Sequence, residues 1–568
     1  MPLIRDHIAT IFKKCVPDGV SIEISIPERP EFGHYATALA LRLAKQEGKN
    51  PREVAETLRQ SLLARAPKNF FSRIEIAGPG FLNFWIHPEA IQKAFKATLA
   101  KRAQFGKGSR GEKRPVIVEY SQPNIAKKMH VGHLRTTVLG DALARVYAFL
   151  GHRVIRWNYY GDWGTQFGKL IAAYKLWGNV KAVRVNPIEE LLALYVRFHD
   201  EAKKNPELDE RGREEFQKLE SGDRENRKLW QWFKKESLVE FKKIYRLLGV
   251  DFDVELGESA FEKDLAPLIA ELERKGIARK SEGTLLIPLD EASLPPALLR
   301  KSDGASLYLT RDIASLRYRI KKYRPEKILY VVGNEQSLHF AQLFAVAGII
   351  GLSKKTELMH VKYGLVLAEG GKKFATREGR AVFLDEVIRE AVVRAREIVE
   401  EKNHSLSSRE KNKVAEMVAV GALKYANLKE YRTSDIVFDW ERMLDFSGDS
   451  APYLQYTHAR LSGILRKVKL RGRADVRHLK EERDLLLVLK LFEFPRVVEE
   501  SAAHYTANPL ATYLYGLAVQ LNQFYEMTPI MKDEDVARRN ARLALLSFAR
   551  DVLARGLSLL GITAPLRM

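Results

Sequence analysis

At ~150 residues per domain, a chain of 568 residues divides into about three or four domains. Lysine and arginine outnumber aspartate and glutamate by 94 to 72, a net charge of +22, which favours a polyanionic partner, nucleic acid first. The single cysteine, Cys15, excludes an internal disulfide framework and a cysteine-based zinc site; with no signal-peptide pattern and no run near the ~18 apolar residues of a membrane span, a soluble cytoplasmic protein with no membrane partner is expected.

In chain order, residues 1–105 predict a small α/β domain. It has a first helix, a strand at 21–27, a helix over 36–45, another from Pro51, and a strand pair across 73–86 turning at Gly78-Pro79-Gly80. Residues 104–114, rich in Gly, Lys and Arg, read as a linker. A larger α/β domain is expected over 115–395: a strand at 116–120, a polar turn around Pro123 and Asn124, a helix starting near His133, a strand at 153–159 and the turn Gly161-Asp162-Trp163-Gly164. Together these make a βαβ unit that opens a parallel sheet. A charged helical insertion spans about 170–260, and strand signals return at 285–289, 307–309, 328–332 and 362–367. Residues 400–568 read as an all-helical domain whose tyrosines, interleaved with Lys and Arg, either stack on unpaired bases or half-bury in a bundle.

The chemistry concentrates at His130-Val131-Gly132-His133. A glycine there lets a ligand approach the backbone, and the helix that follows offers free amides and a positive dipole end to phosphates, so the turn suits a nucleotide. The rival readings are a core histidine pair or a metal site. The spacing is not the His-x-x-x-His of a zinc helix and no cysteine accompanies it, so no metal site is expected.

Seven stretches, in order, resemble the class I arginyl-tRNA synthetases of bacterial type: IEIAGPGFLNFW, EYSQPNIAKKMHVGHLRTT, NYYGDWGTQFG, DGASLYLTRDIA, VVGNEQSLHF, KYGLVL followed by KKFATREG, and GALKYANLKEYRTSDIVFDWERMLDFSGDSAPYLQYTHARL. The resemblance implies a multidomain α/β protein with a Rossmann-type catalytic domain carrying the HIGH signature at 130–133. It also implies an N-terminal domain that binds the tRNA elbow and an all-α anticodon-binding bundle at the C-terminus. The implied reaction joins L-arginine to ATP as arginyl-adenylate, releasing pyrophosphate, and then moves arginine to the 3′-terminal adenosine of tRNA(Arg). In this family the first step characteristically needs the tRNA. Magnesium accompanies ATP rather than occupying a dedicated protein site, and a monomer is expected. A small nucleotidyltransferase shares the H-x-G-H turn but leaves the helical last third without a role.

By the same resemblance, His130, Gly132 and His133 bind ATP together with Gly364 and Val366, while Glu119 and Asn124 hold the amino and carboxylate end of arginine or line the pocket beside it. Tyr308 and Asp312 face the guanidinium and Gln336 completes the site. A fixed positive charge needs a buried carboxylate, which singles out Asp312 or Glu119. The KMSKS loop stands as Lys373-Phe374-Ala375-Thr376-Arg377, with Thr376 in place of the second lysine. Lys127, just before the HIGH signature, is expected to supply the missing charge, with Lys373 and Arg377 on the loop itself. Phe32, Tyr35 and Asn83 in the N-terminal domain, and Tyr453, Tyr456 and Met568 in the bundle, fall in the family's tRNA-contact regions.

Overall fold

The computed structural model describes residues 3–27, 29–108, 114–300, 308–368, 382–468 and 474–568. The N-terminal part is a three-stranded antiparallel sheet of β1 (Tyr35–Thr37), β2 (Phe71–Ala77) and β3 (Phe81–Ile86), with β3 in the middle. The helices Ile4–Lys13, Leu39–Glu47, Pro51–Arg65 and Pro88–Ala100 accompany it. Asn50 caps the third of these by accepting the Arg52 N–H at 2.9 Å, and Pro51 at its first position has no donor to lose. The strand expected at 21–27 is reduced to one bridge, between Ser25 and Ala36. Only Ile24 in that stretch is buried, too little apolar surface to anchor a ladder.

The central sheet begins with β4 (Val116–Glu119) and β5 (Val154–Tyr160), joined through the helix Val131–Phe149. Its next strand is β6 (Val254–Gly257), which pairs parallel to β5 and which the sequence reading placed inside the helical insertion. Phe252, Val254 and Leu256 alternate with acids, which is the period-2 pattern of a half-buried strand, but the strand is only four residues long and follows closely on a charged helix. The insertion itself is five helices, Thr165–Trp177, Val180–Val185, Pro187–Ala202, Glu207–Ser221 and Arg224–Leu248. The 285–289 signal belongs to a separate antiparallel sheet of β7 (Arg279–Ser281), β8 (Thr284–Ile287) and β9 (Ala297–Arg300). Tyr308 and Leu309, expected in a strand, open the helix Tyr308–Tyr323 instead; a short apolar run does not distinguish the two states.

Two more strands, β10 (Lys327–Tyr330) and β11 (Glu357–His360), complete a five-stranded parallel sheet in the order β11-β10-β4-β5-β6. Val116 and Val118 of β4 face one apolar cluster and Ile117 the other, so the strand is buried on both sides as a parallel sheet requires. From β4 the chain moves to β5 on one side and later to β10 on the other. The loops leaving β4 and β10 therefore diverge, opening a crevice at the carboxyl ends of the strands where doubly wound folds bind ligands.

The remainder is a bundle built on Leu384–Lys402, Ser408–Leu428, Ala451–Lys467, Glu482–Phe492, Phe494–Ala503, Asn508–Met527 and Val536–Leu559. A short parallel pair, β12 (Val366–Leu367) with β13 (Ile436–Val437), joins it to the crevice. Arg135, only 1% exposed on the helix Val131–Phe149, locks that junction by donating to the carbonyls of Leu365, Arg432 and Ser434 at 2.9, 3.0 and 2.6 Å. No helix among the described residues is long and apolar enough to cross a membrane.

Candidate active site

The loop from β4 to the helix carries three non-glycine residues with left-handed backbone, Ser121, Gln122 and Ala126, at φ 78°, 50° and 60°. Such conformations cost of order 1–3 kcal/mol each and persist only where their surroundings over-determine them. Side chains from three elements do this. Thr136 Oγ1 accepts the Ser121 N–H, Asn158 Oδ1 the Gln122 N–H, and Ser237 Oγ the Ala126 N–H, at 3.2, 3.2 and 3.0 Å.

The loop delivers His130 as the N-cap of the helix. His130 Nδ1 accepts the Gly132 N–H at 3.1 Å and His133 Nδ1 accepts the His130 N–H at 3.0 Å. Each ring thus spends its Nδ1 lone pair on the backbone, which puts the proton of the neutral ring on Nε2. Burial lowers the His133 pKa to about 3, with His130 adding to the shift, and burial also lowers that of His130. The pair therefore presents two neutral N–H donors, and a metal would find no free lone pair on either ring. Both rings line a cavity of about 280 Å³ with Gly132, Gln122, Gly333, Glu335, Tyr363, Gly364 and Val366. Gly364 has to be glycine, because a Cβ there would lie 2.6 Å from Asp435 Oδ1 and 2.7 Å from the Ser434 carbonyl.

An acidic cluster lies outside the lining of this cavity and connects to it through Glu119, which Gln122 of the lining contacts and which feels the charge of Asp312. Asp312 meets His339 Nε2 at 2.6 Å, and the contact raises the His339 pKa against the opposing effect of burial. Glu258, at the end of β6, has a buried Oε2 with no hydrogen-bond partner among the described residues. Burial and then the charge of Asp312 push its pKa up to about 8. The phenol of Tyr159 is buried without a hydrogen-bond partner among the described residues, and after burial both carboxylates push its pKa further up. Tyr308 stands at the rim, 60% exposed. Neither Glu258 nor His339 was singled out from the sequence; His339 sits in the VVGNEQSLHF stretch, whereas no motif flags Glu258.

Glu119 is placed differently from expectation. It is 3% exposed, and its Oε2 pairs with the guanidinium of Arg319, which is itself 1% exposed. Gln122 donates to its other oxygen at 2.7 Å. Arg319 lies 4.4 Å from the Trp157 ring centre and near the Tyr159 and Tyr330 rings. Burial raises the Glu119 pKa and the charge of Asp312 adds to the shift, while Arg319 and Gln122 pull against it. Whatever charge Glu119 carries is met by Arg319 within the protein, which leaves Asp312, and Glu258 once it loses its proton, to meet a cation entering the crevice. Asn124, exposed, bridges to Gly161, and Gln336, also exposed, precedes the helix Ser337–Ile349.

Lys128 is committed to Glu189 at 2.8 Å. Lys127 has no carboxylate partner among the described residues, but its ammonium stands 5.2 Å over the Tyr195 ring of the insertion and does not line the cavity. Lys373, Thr376 and Arg377 lie outside the described residues. Of the residues assigned to tRNA contact, Phe32 is 45% and Tyr456 42% exposed. Tyr35, 3% exposed, and Asn83, 5% exposed, sit in the β1–β3 ladder, Tyr35 opposite Phe84 and Asn83 opposite Ala36, and so on opposite faces of the sheet. Tyr453 is half-buried, its hydroxyl accepting from Asn522 at 2.9 Å, and the Met568 carbonyl accepts from Asn403 at 2.8 Å.

Known proteins match the chain in each of its three parts. The family model for the catalytic domain of class I tRNA synthetases (R) matches residues 94–440, that for the DALR anticodon binding domain 454–568, and that for the arginyl tRNA synthetase N-terminal domain 2–86. The arginine–tRNA ligase of Enterococcus faecalis is 43% identical over 97% of this chain and 96% of its own. That of Alkaliphilus metalliredigens is 40% identical over 96% and 95%. The arginyl-tRNA synthetase of Thermus thermophilus superposes with a TM-score of 0.83 at 28% identity, covering 99% of each chain. That of Plasmodium falciparum gives 0.82 at 25% identity over 100% and 98%. A Rossmann-type catalytic domain, a small N-terminal domain and a helical bundle are thus matched along essentially the whole length, and the chain belongs to the class I arginyl-tRNA synthetases.

Proposed function

We propose that the chain activates L-arginine with ATP and transfers the arginyl group to the 3′-terminal adenosine of tRNA(Arg), and that its two pocket ends divide this work. The observation that carries the reading is the pairing of a neutral double-histidine donor site with an acidic cluster in which Asp312 meets His339 and Arg311 only partly offsets the effect of the neighbouring charges on Glu258. Activation is an in-line displacement at the α-phosphate by the arginine carboxylate, so no protein nucleophile is required and catalysis rests on alignment and charge stabilisation. His130 and His133 donate through Nε2–H to the phosphates at the helix N-terminus, and Gly364 and Val366 flank the nucleotide. Magnesium enters with ATP and shares the pyrophosphate charge.

Asp312 and Glu258 receive the guanidinium, with Tyr308 at the rim, while Asn124, Gln336 and the oxygen-bearing edge of Glu119 settle the amino acid end. A free-site pKa of about 8 for Glu258 has a consequence for binding. The bound cation needs the ionised carboxylate, so below pH 8 binding expels a proton. The arginine dissociation constant is expected to fall as pH rises from 6.5 to 8 and to level off above that, by up to about tenfold per unit. Titration calorimetry across that range tests it; a flat profile removes Glu258 from the guanidinium site.

Residues 1–105, 115–395 and 400–568 serve as tRNA-elbow, catalytic and anticodon domains, with exposed Phe32 and Tyr456 as direct contacts and a basic surface supplying phosphate contacts. The chain acts as a cytoplasmic monomer; both pocket ends are contributed by one chain. The defining experiment is exchange of pyrophosphate into ATP with each amino acid, with and without tRNA. Exchange with arginine only when tRNA is present is expected, and exchange with another amino acid alone overturns the reading. Lys127→Ala is expected to slow adenylate formation by about tenfold to a hundredfold, the range for loss of one charge-stabilising group, with little change in arginine KM. An unchanged rate would show that the charge missing at Thr376 is not supplied from position 127.

A further inference from the structure

The turn Gly161-Asp162-Trp163-Gly164 has no part in the reading above, yet it is among the most constrained places in the protein. Asp162 is fully buried. Its Oδ1 accepts the Ser259 N–H at 2.9 Å, and its Oδ2 accepts the Ser259 hydroxyl at 2.7 Å and the Lys234 ammonium at 2.5 Å. Its main-chain carbonyl accepts the Trp230 indole N–H at 2.8 Å, and Trp230 packs edge-on against Trp163 at 5.4 Å between ring centres. Gly257 completes the contact: a Cβ there would lie 2.2 Å from the Asp162 carboxylate. Between Gly257 and Ser259 stands Glu258, whose own Oε2 is buried and unpartnered among the described residues.

We propose that Asp162 and Ser259 are positioning residues for substrate specificity: they fix the backbone on both sides of Glu258 so that its carboxylate projects into the guanidinium end of the pocket, and Lys234 of the insertion neutralises Asp162 as they do so. The physical need is plain. The ionised Glu258 that a guanidinium needs costs desolvation and is repelled by Asp312, which Arg311 offsets only in part, so on a loose turn its carboxylate would swing to water. Three donors on Asp162, two of them from Ser259, hold the turn against that tendency, and the close approach at Gly257 leaves it no slack. Lys234 balances the charge that the clamp itself introduces. The helical insertion thereby reaches the amino acid pocket through Lys234 and Trp230, although neither touches substrate.

The proposal rests on the assignment of Glu258 to the guanidinium, and a double-mutant cycle separates the two ideas. Aminoacylation is measured on the full chain with tRNA, varying arginine and ATP separately, for Ser259→Ala, Glu258→Gln and the pair. Ser259→Ala is expected to raise the arginine KM by about fivefold to tenfold, less than the full loss of one hydrogen bond to a charged group because the effect reaches the substrate only through Glu258, with ATP KM and kcat nearly unchanged. In the Glu258→Gln background the same change should have almost no further effect. Ser259→Thr, which keeps the hydroxyl, should stay close to the parent, and Asp162→Asn should exceed Ser259→Ala in the same direction where it folds. If Ser259→Ala multiplies the Glu258→Gln defect undiminished, or lowers kcat and both affinities alike, the positioning role is overturned while Glu258 keeps its assignment. If Glu258→Gln alone leaves arginine KM unchanged, the assignment itself fails and the proposal falls with it.

Discussion

Asp312→Ala is expected to lower kcat/KM for arginine by about two to three orders of magnitude, the range for removing one partner of a buried ion pair, while the ATP KM stays within about threefold. The guanidinium of the substrate carries a charge that no pH in the working range removes, and it leaves water on entering the crevice. Glu119 cannot answer that charge, since Arg319 already does. Glu258 answers it only after losing a proton. Asp312 is the remaining carboxylate, held in place by His339 at 2.6 Å. Its replacement strands both the substrate guanidinium and His339. Steady-state aminoacylation with arginine and ATP varied in turn checks this. Equal loss in both substrates would mean that the helix Tyr308–Tyr323 had been disturbed, and no loss would place the guanidinium elsewhere.

The parts of this site that were legible in the chain are those where chemistry and periodicity coincide. Val116–Glu119 is a continuous apolar run closed by an acid, and the His-x-Gly-His turn follows at a spacing that leaves room for one loop. What stayed hidden depends on partners far away in sequence. Arg319 lies on a helix with charged neighbours and reads as a surface residue, yet the aromatic faces of Trp157, Tyr159 and Tyr330 enclose it. Glu119 and Asp312 look alike as isolated acids; only Arg319 distinguishes them. Glu258 follows a strand of only four residues that comes closely after the charged helix Arg224–Leu248. In the N-terminal domain, Tyr35 and Asn83 have side chains suited to RNA, and only the β1–β3 register shows that they lie on opposite faces of one sheet, Tyr35 within the apolar cluster.

Arg319→Met is expected to cost about 3–5 kcal/mol of stability, because it leaves the Glu119 carboxylate buried without its cation. The single Gln122 donor is a poor substitute. The loss is to be read as a shift in urea midpoint at unchanged slope for the transition that exposes the central sheet. Glu119→Gln combined with Arg319→Met removes both charges, and replacing a buried pair by groups of similar volume is often neutral, so most of the lost stability should return. A double variant as unstable as Arg319→Met would mean that the guanidinium acts chiefly by filling the space between Trp157 and Tyr330. Activity then separates scaffolding from recognition. Glu119 lies at the carboxyl end of β4, under the loop that carries Asn124 and the histidines. If its carboxylate also orients the substrate amino group, kcat/KM for arginine in the stable double variant stays low while ATP affinity is preserved, and that is the outcome expected. Recovery of stability and arginine kinetics together would confine Glu119 to holding the strand end in place.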